Sequence, residues 1–335
     1  MKVVIAPDSF KGSASAGDLS LWIKDAWLSV RPDDEVICAP MADGGEGSAA
    51  VIAASGRVNP NEITVIELAE ICGITKYKTL DPLGAHTYEL GLAIRHAIEG
   101  GVQKIILCVG GSASTDAGTG ALRALGAKFL DKNGAEILLG GAGLLELDAI
   151  DFTGLIAGPQ DGIIIFSDVT NSLTGKNGAA YVFGPQKGAN SEQVNLLDDA
   201  LFNLLRVSGF PETAGSGAAG GTTYGFQLAY DAEVKPGSHE IAQLIGLPDA
   251  IAVADLVITG EGRYDSQSLQ GKVVSKVIAL AGQTPVAYIV GKKEIEFPDG
   301  SSGISLTDLA GSSEAAIKEV RHWVTQSAIK LAKSI

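Results

Sequence analysis

Cysteine is scarce in this chain: three of 335 residues, an odd number. Cys38, Cys72 and Cys108 stand far apart, and two of them lie in apolar runs. That pattern argues against a disulfide framework and for reduced core cysteine in a cytoplasmic protein. The four histidines, His86, His96, His239 and His322, form no pair at ligand spacing, so no zinc site is expected. Aromatics make up 6% of the chain. Positive charge is also short: 25 Lys and Arg against 39 Asp and Glu, a net charge of −14. Such a surface repels phosphate backbones and anionic lipid, which argues against nucleic acid and membrane as partners. No apolar run reaches the roughly 18 residues of a membrane span. Met1-Lys2 leads into a strand pattern without a signal-peptide signature.

What is present is apolar residue and glycine. The chain is 46% hydrophobic and holds 43 glycines. Its length fits two domains or one large α/β unit. One pattern recurs along it. A short Val/Ile run ends in a loop bearing Asp, Gly or Ser, and a helix-compatible segment follows. "VVIAPDSF" ends at Asp8 and Ser9, "EVICAPMADGGEGS" at Asp43 and Glu46, and "KIILCVGGSASTDAGTG" at Ser112 and Asp116. "GIIIFSDVTNS" ends at Asp168 and Asn171, "LVITGEGRYDSQS" at Glu261 and Asp265, and "PVAYIVGKK" at Gly291 and Lys292. Alternating strand and helix predicts a parallel sheet with right-handed crossovers. Ligands of such sheets sit beyond the carboxyl ends of the strands, where all these polar loops fall.

The first helix is legible in detail. Ser15-Ala16-Gly17-Asp18 resembles a capping box, Leu19, Ile23, Ala26, Trp27 and Val30 follow at helical spacing, and Arg31-Pro32 stops the run. A second strand is expected at Val36 to Ala39. The middle of the chain is glycine-rich and loop-heavy. We read residues 1–68 plus 251–335 as a Rossmann-like α/β domain, with residues 69–250 as an inserted second α/β domain. The strands at 256–259 and 286–290 close the first domain, and the active site is expected in the cleft between the two.

Phosphate-loop motifs narrow the chemistry. Gly175-Lys176 and Gly271-Lys272 lack both the upstream glycine and the following hydroxyl of G-x-x-x-x-G-K-[ST], so a Walker loop is excluded. Gly215 to Gly220 spells G-x-G-x-x-G but follows Pro211-Glu212-Thr213 and no predicted strand, so the dinucleotide fingerprint lacks its context. Val109 to Gly120 has the better setting: a strand, a loop of Gly110, Gly111 and Ser112, then a helix over "ALRALGAKFL". Backbone N–H groups there can cradle an anion, or Ser112 or Asp116 can be a plain cap. The acidic strand tips, "ADGGEGS" with Asp43, Gly44 and Gly45 and "GEGRYDSQS" with Glu261, Arg263, Asp265 and Ser266, repel one another and call for a cation. Mg2+ is the natural one, since it takes oxygen ligands and shares them with phosphates. The competing reading makes Asp43 and Glu261 caps of following helices. Lys11, Lys187, Arg263 and Lys272 supply the local positive charge that an anionic substrate needs.

Taken in order, "IAPDSFKGSASA", "ADGGEG", "GGSASTDAG", "SDVTNSLTGKNGAAYVFGPQKGA", "GSGAAGG" and "ITGEGRYDSQSLQGK" resemble the motifs of the bacterial type I glycerate kinase family over nearly the whole chain. The resemblance implies two α/β domains with a cleft, and ATP- and Mg2+-dependent phosphorylation of D-glycerate, typically at the 2-hydroxyl. Phosphoryl transfer needs positioning, cations on the phosphate oxygens and a carboxylate to take the hydroxyl proton. On that basis Asp265 and Asp168 are assigned to Mg2+, and Asp43 to the base or to substrate orientation. Lys11, Arg263, Lys187 and Lys272 are assigned to carboxylate or phosphates, and the Gly110-Gly111-Ser112 loop to an anion. Asp8, Ser9, Gly44, Gly45, Asp116, Asn171, Glu261 and Ser266 complete the expected nucleotide and substrate contacts. Nothing in the sequence sets an oligomeric state. The chain departs from the family pattern at Thr115 and Ala117, where Asn and Gly are usual, across His86 to Leu92, and in a short stretch between Gly56 and Glu67. The competing classes are a non-catalytic hydroxy-acid-binding paralogue and a Rossmann-type oxidoreductase.

Overall fold

A computed structural model describes residues 1–269 and 272–335. Gln270 and Gly271 of the last family motif lie outside the described residues. The described strands, in chain order, are β1 (Lys2–Ile5), β2 (Glu35–Cys38), β3 (Ile63–Glu67), β4 (Lys104–Cys108), β5 (Lys128–Leu130), β6 (Ala149–Asp151) and β7 (Ile163–Phe166). They continue as β8 (Glu233–Lys235), β9 (Leu256–Thr259), β10 (Arg263–Tyr264), β11 (Val286–Val290), β12 (Lys292–Lys293) and β13 (Ser302–Ser305). The chain divides into two compact units. Unit 1 holds residues 1–43, 50–58 and 238–335, and unit 2 holds 44–49 and 59–237.

Unit 1 carries a parallel sheet in the order β13-β11-β9-β1-β2 among the described residues. Both faces of the sheet are buried, as parallel sheets require. Alternate residues of β1 point to opposite faces. Val3 and Ile5 join Leu19, Ile23 and Trp27 of helix Ala16–Val30 and Val324, Ala328 and Leu331 of helix Val320–Ser334. Val4 and Ala6 join Met41, Leu247, Ile251, Val273 and Val277 on the other side. The helix 16–30 starts as its sequence predicts. Ser15 Oγ accepts the Asp18 N–H at 3.0 Å and donates to the Asp18 carboxylate at 2.7 Å, and Arg31 leaves helical geometry just before Pro32. A two-residue parallel pair, β10 with β12, sits apart from the main sheet and sets Arg263 opposite Lys292.

Unit 2 has a parallel sheet in the order β3-β4-β7-β8 and one large core that includes Leu107, Phe129, Ile165, Leu201, Tyr224 and Phe226. One local expectation fails here. The helix anticipated over "ALRALGAKFL" ends at Ala124. Gly126 takes φ +106°, and Lys128–Leu130 becomes β5, paired antiparallel with β6. A glycine in that region breaks the helical run, and Phe129 gains a fully buried place in the strand. Among the described residues no helix is long and apolar enough to cross a membrane.

Candidate active site

The carboxyl ends of the unit 1 strands line a cavity of about 590 Å3. Beyond β1 lie Asp8, Ser9 and Lys11, and beyond β2 lies Asp43. Beyond β9 come Glu261, Arg263 and Asp265, and beyond β11 come Gly291 and Lys292. Lys272 joins them from the start of helix Val273–Ala281. The structure thus brings eight of the sequence-selected polar residues of unit 1 around one space.

Backbone contacts fix these tips against each other. The Asp8 N–H donates to Gly260 O at 2.8 Å, the Gly291 N–H to Glu261 O at 3.0 Å, and the Lys292 N–H to Gly262 O at 3.0 Å. A β-carbon on Gly260 would stand 1.7 Å from Ile289 O, so only glycine permits that approach. Asp8 is half-buried and takes the Ser9 N–H at 2.7 Å. Burial, followed by the Asp43 charge, pushes its carboxyl up to about 7 despite Ser9 and Lys11. Glu261 is also raised, chiefly by burial, with Ser268 and Lys272 opposing the shift. Its buried Oε1 has no hydrogen-bond partner among the described residues. Asp265 accepts the Gln267 N–H at 2.8 Å and so caps the turn that Ser266 begins, where Ser266 itself is exposed. Lys272 Nζ donates to Gln267 Oε1 at 3.1 Å.

Glu294, which the sequence does not single out, pairs with two cations of the cavity lining. Its Oε1 accepts from Arg263 at 2.8 Å and from Lys292 at 2.8 Å, and these two cations hold its carboxyl down at about 2. Lys292 was visible as a strand end, but only the β10–β12 register pairs it with Arg263.

The other selected residues belong to unit 2. Lys187 sits in the turn Pro185–Lys187, before Gly188 at φ +90°, and is 2% exposed. Its Nζ donates to Ser112 Oγ at 2.9 Å and to Ser114 O, and burial lowers its pKa to about 8, with Asp116 opposing. Asp116 is fully buried. Its carboxylate accepts the Thr87 N–H and hydroxyl, both at 2.8 Å, and the Gly118 and Gly120 N–H groups at 3.2 Å. Asp116 therefore ties the loop after β4 to the segment at Thr87. Close packing explains the glycines of the two glycine-rich tips. A β-carbon on Gly110 would lie 2.5 Å from Gly45 Cα, and one on Gly44, at φ +90°, would lie 2.6 Å from Phe166 O. Gly111 takes φ +77° and its carbonyl accepts the Ile74 N–H at 2.9 Å. Asn171 Nδ2 donates to Asn177 O at 2.8 Å, and Asp168 follows β7, half-buried. The turn entering helix Ser48–Ala54 is served by Glu67, which accepts the Gly47 and Ala49 N–H groups at 2.9 and 3.1 Å. Ala117, where the family usually has glycine, holds φ +51°, a left-handed geometry that costs a side chain about 1–2 kcal/mol. Thr115 Oγ1 is buried without a hydrogen-bond partner among the described residues.

The sequence profile described as the Glycerate kinase family matches residues 3–62 and 52–335, so its two segments meet at the short stretch after Gly56. The chain belongs to the glycerate kinase family. It is 37% identical over 324 residues to the glycerate 2-kinase of Escherichia coli (strain K12), covering 87% of this chain and 85% of that protein. It is 36% identical to the glycerate kinase of Bacillus subtilis (strain 168), again over 87% and 85% of the two chains. A solved structure from Salmonella typhimurium LT2, provisionally named glycerate kinase 2, matches with a TM-score of 0.81 and 34% identity over 100% of this chain and 98% of that one. Family membership bears out the resemblance, the α/β architecture and the enzyme class read from the motifs.

Proposed function

We propose that this family member phosphorylates D-glycerate at its 2-hydroxyl with ATP, giving 2-phosphoglycerate, or acts on a closely related small hydroxy acid. One observation carries the reading. A carboxyl held near neutrality, Asp8, shares a cavity with three further carboxylates, Asp43, Glu261 and Asp265, and with Lys11, Arg263 and Lys272. A proton acceptor works best with a pKa near the operating pH, and a phosphoryl group needs cations around it. Asp8 takes the proton of the attacking hydroxyl as the new oxygen–phosphorus bond forms and the bond to the ADP oxygen breaks. Lys11, Arg263 and Lys272 balance the charge spread over the phosphoryl oxygens, and Asp43 orients the acceptor.

The cavity suits Mg2+. Glu261 offers a buried carboxylate oxygen that no donor among the described residues serves, beside Asp8, Asp43 and Asp265. Among the described residues no cluster of three or more His, Cys, Asp or Glu forms a ready metal cage. Mg2+ commonly binds through one or two carboxylates and completes its shell with water and phosphate. Glu261 and Asp265 would hold it in unit 1, and Asp168 is the candidate ligand in unit 2. When bound, it would neutralise charge on the transferred phosphate. In unit 2, we assign anion binding to the Gly110–Ser112 loop that Lys187 braces. We propose a cytoplasmic location, on the reduced core cysteines that the sequence indicates.

The test is ADP release from purified, folded protein with ATP, Mg2+ and a panel of small hydroxy acids. D-Glycerate should give the highest kcat/KM. Background rates with every acid would sink the kinase reading, and a thermal shift from the acid alone would favour the non-catalytic paralogue.

A further inference from the structure

The unit 1 cavity is not uniform, and the sheet order gives its composition a direction. Strand tips follow one another as β2, β1, β9, β11, β13. Adjacent strands lie about 4.8 Å apart, so the row spans roughly 19 Å. At the β2 and β1 end stand the carboxylates Asp43 and Asp8. In the middle, Arg263 and Lys292 are register partners on β10 and β12 and share Glu294, with Lys272 and the proposed Mg2+ ligands Glu261 and Asp265 lining the same stretch. Past β13 the lining changes character, to Leu306, Ala316, Ile317 and Val320, with the hydroxyls of Thr307 and Ser313 among them. Ile317 is 60% exposed, an apolar side chain open to solvent beside an otherwise charged space. Thr307 ties this end to the rest. Its Oγ1 donates to Gly291 O at 2.9 Å and lies 3.3 Å from Ser313 Oγ.

An elongated ligand that matches this row is anionic in its middle and flat and apolar, with a few polar edges, at one end. A free hydroxy acid is too short and has no apolar end. We infer that the apolar end past β13 receives the nucleoside of the phosphoryl donor, with Arg263 and Lys292 on its phosphate chain. The donor's terminal phosphate is thereby directed toward Asp8 and Asp43. Glu294 keeps the two cations in place and electrostatically quiet until the phosphates arrive. The inference rests on the kinase reading above and adds a polarity to it, a nucleoside pocket made by helices Leu306–Ala310 and Ser313–Lys318, and Lys292 as a phosphate contact.

Calorimetric titration of the whole protein, with Mg2+, separates the two ends. The probes are the non-hydrolysable β,γ-methylene analogue of ATP and inorganic tripolyphosphate, which has the phosphates without the nucleoside. Ser313→Trp and Ile317→Asn alter exposed positions and leave the fold intact. Each should raise the Kd of the ATP analogue at least fivefold and leave that of tripolyphosphate within twofold. Lys292→Ala should weaken both probes at least fivefold. Wild-type nucleotide affinity in both Ser313→Trp and Ile317→Asn would overturn the inference, as would an equal loss of tripolyphosphate binding in them. Failure of the kinase reading looks different. The wild type would bind the analogue with this same pattern of variants while transferring phosphate to no hydroxy acid.

Discussion

Lys187 Nζ donates to Ser112 Oγ at 2.9 Å, joining segments 75 residues apart inside unit 2. The lysine is 2% exposed, and the carboxylate that favours its charge, Asp116, is already engaged by four donors. Folding therefore favours the neutral amine. The folded pKa is about 8 against an ordinary 10.5. Between those values the unfolded chain holds a proton that the folded one has lost, so stability from this group rises with pH in that window and is flat below it. The wild type should gain about 2–3 kcal/mol relative to Lys187→Met between pH 7.5 and pH 10. Urea unfolding of both proteins at the two pH values reads this difference directly. A constant difference would mean that the amine is not held near neutrality.

Asp8 gives the opposite slope. Its folded value is about 7 and its ordinary one 3.8. Between these the folded protein holds the proton, so stability falls as pH rises toward 7 and the cost is complete above it. Asp8→Asn should stabilise the Mg2+-free protein at pH 8, by about 1–3 kcal/mol after allowance for its solvent-facing side. The same change should lower kcat by on the order of 10²–10⁴. A variant both less stable and fully active would contradict both halves of the argument.

Two glycines with positive φ separate strain from collision. Gly12 has φ +77° and open space where a β-carbon would go. Gly220 has φ +66°, and its β-carbon would lie 2.2 Å from Ser114 O and 2.9 Å from Lys187 Nζ. Gly12→Ala should cost about 1–2 kcal/mol, the left-handed penalty alone. Gly220→Ala should cost upward of about 3 kcal/mol, because backbone must also move. Equal melting temperatures for the two variants would show that the loop at Ser114 yields easily.

Much of this arrangement is written locally in the chain. β9 and β11 fall on the expected 256–259 and 286–290, because apolar runs bounded by glycine leave little choice. Ser15 caps its helix because the acceptor and the Asp18 N–H are three residues apart. What escaped depends on pairing across long distances. Arg263 and Lys292 are 29 residues apart, and nothing in either segment announces the β10–β12 register. Glu294 looks like a surface acid beside two lysines until that register points it at Arg263. Lys187 stands out in sequence as a cation in a turn, but its burial does not, since that is decided by the Ser112–Ser114 loop that closes over it. Likewise no local pattern announces that Glu67, far along the chain, takes the Gly47 and Ala49 N–H groups at the start of helix 48–54.

The loop after β9 admits a sharper test, because two explanations of its acidic residue coexist. Asp265 caps a turn through the Gln267 N–H at 2.8 Å, a purely structural duty, and it also lines the cavity. Asp265→Asn keeps an oxygen for that cap and removes only the charge. If the cap is its whole purpose, melting temperature and turnover should both stay near wild type. If the carboxylate holds Mg2+ or sets the electrostatics of the phosphates, kcat should fall by on the order of 10²–10³ with folding unchanged. Arg263 is 65% exposed as a side chain, so its replacement should leave stability nearly untouched. Arg263→Lys preserves charge but loses the planar fork that grips a carboxylate or phosphate on two sides. It should therefore raise the KM for ATP and lower kcat together, by about tenfold in kcat/KM, the equivalent of about 1.4 kcal/mol. Steady-state kinetics of both variants beside their melting curves decide the matter. Turnover within about threefold of wild type for Asp265→Asn, about 0.65 kcal/mol, is too small for a metal or phosphate contact and would leave this loop with its structural role alone.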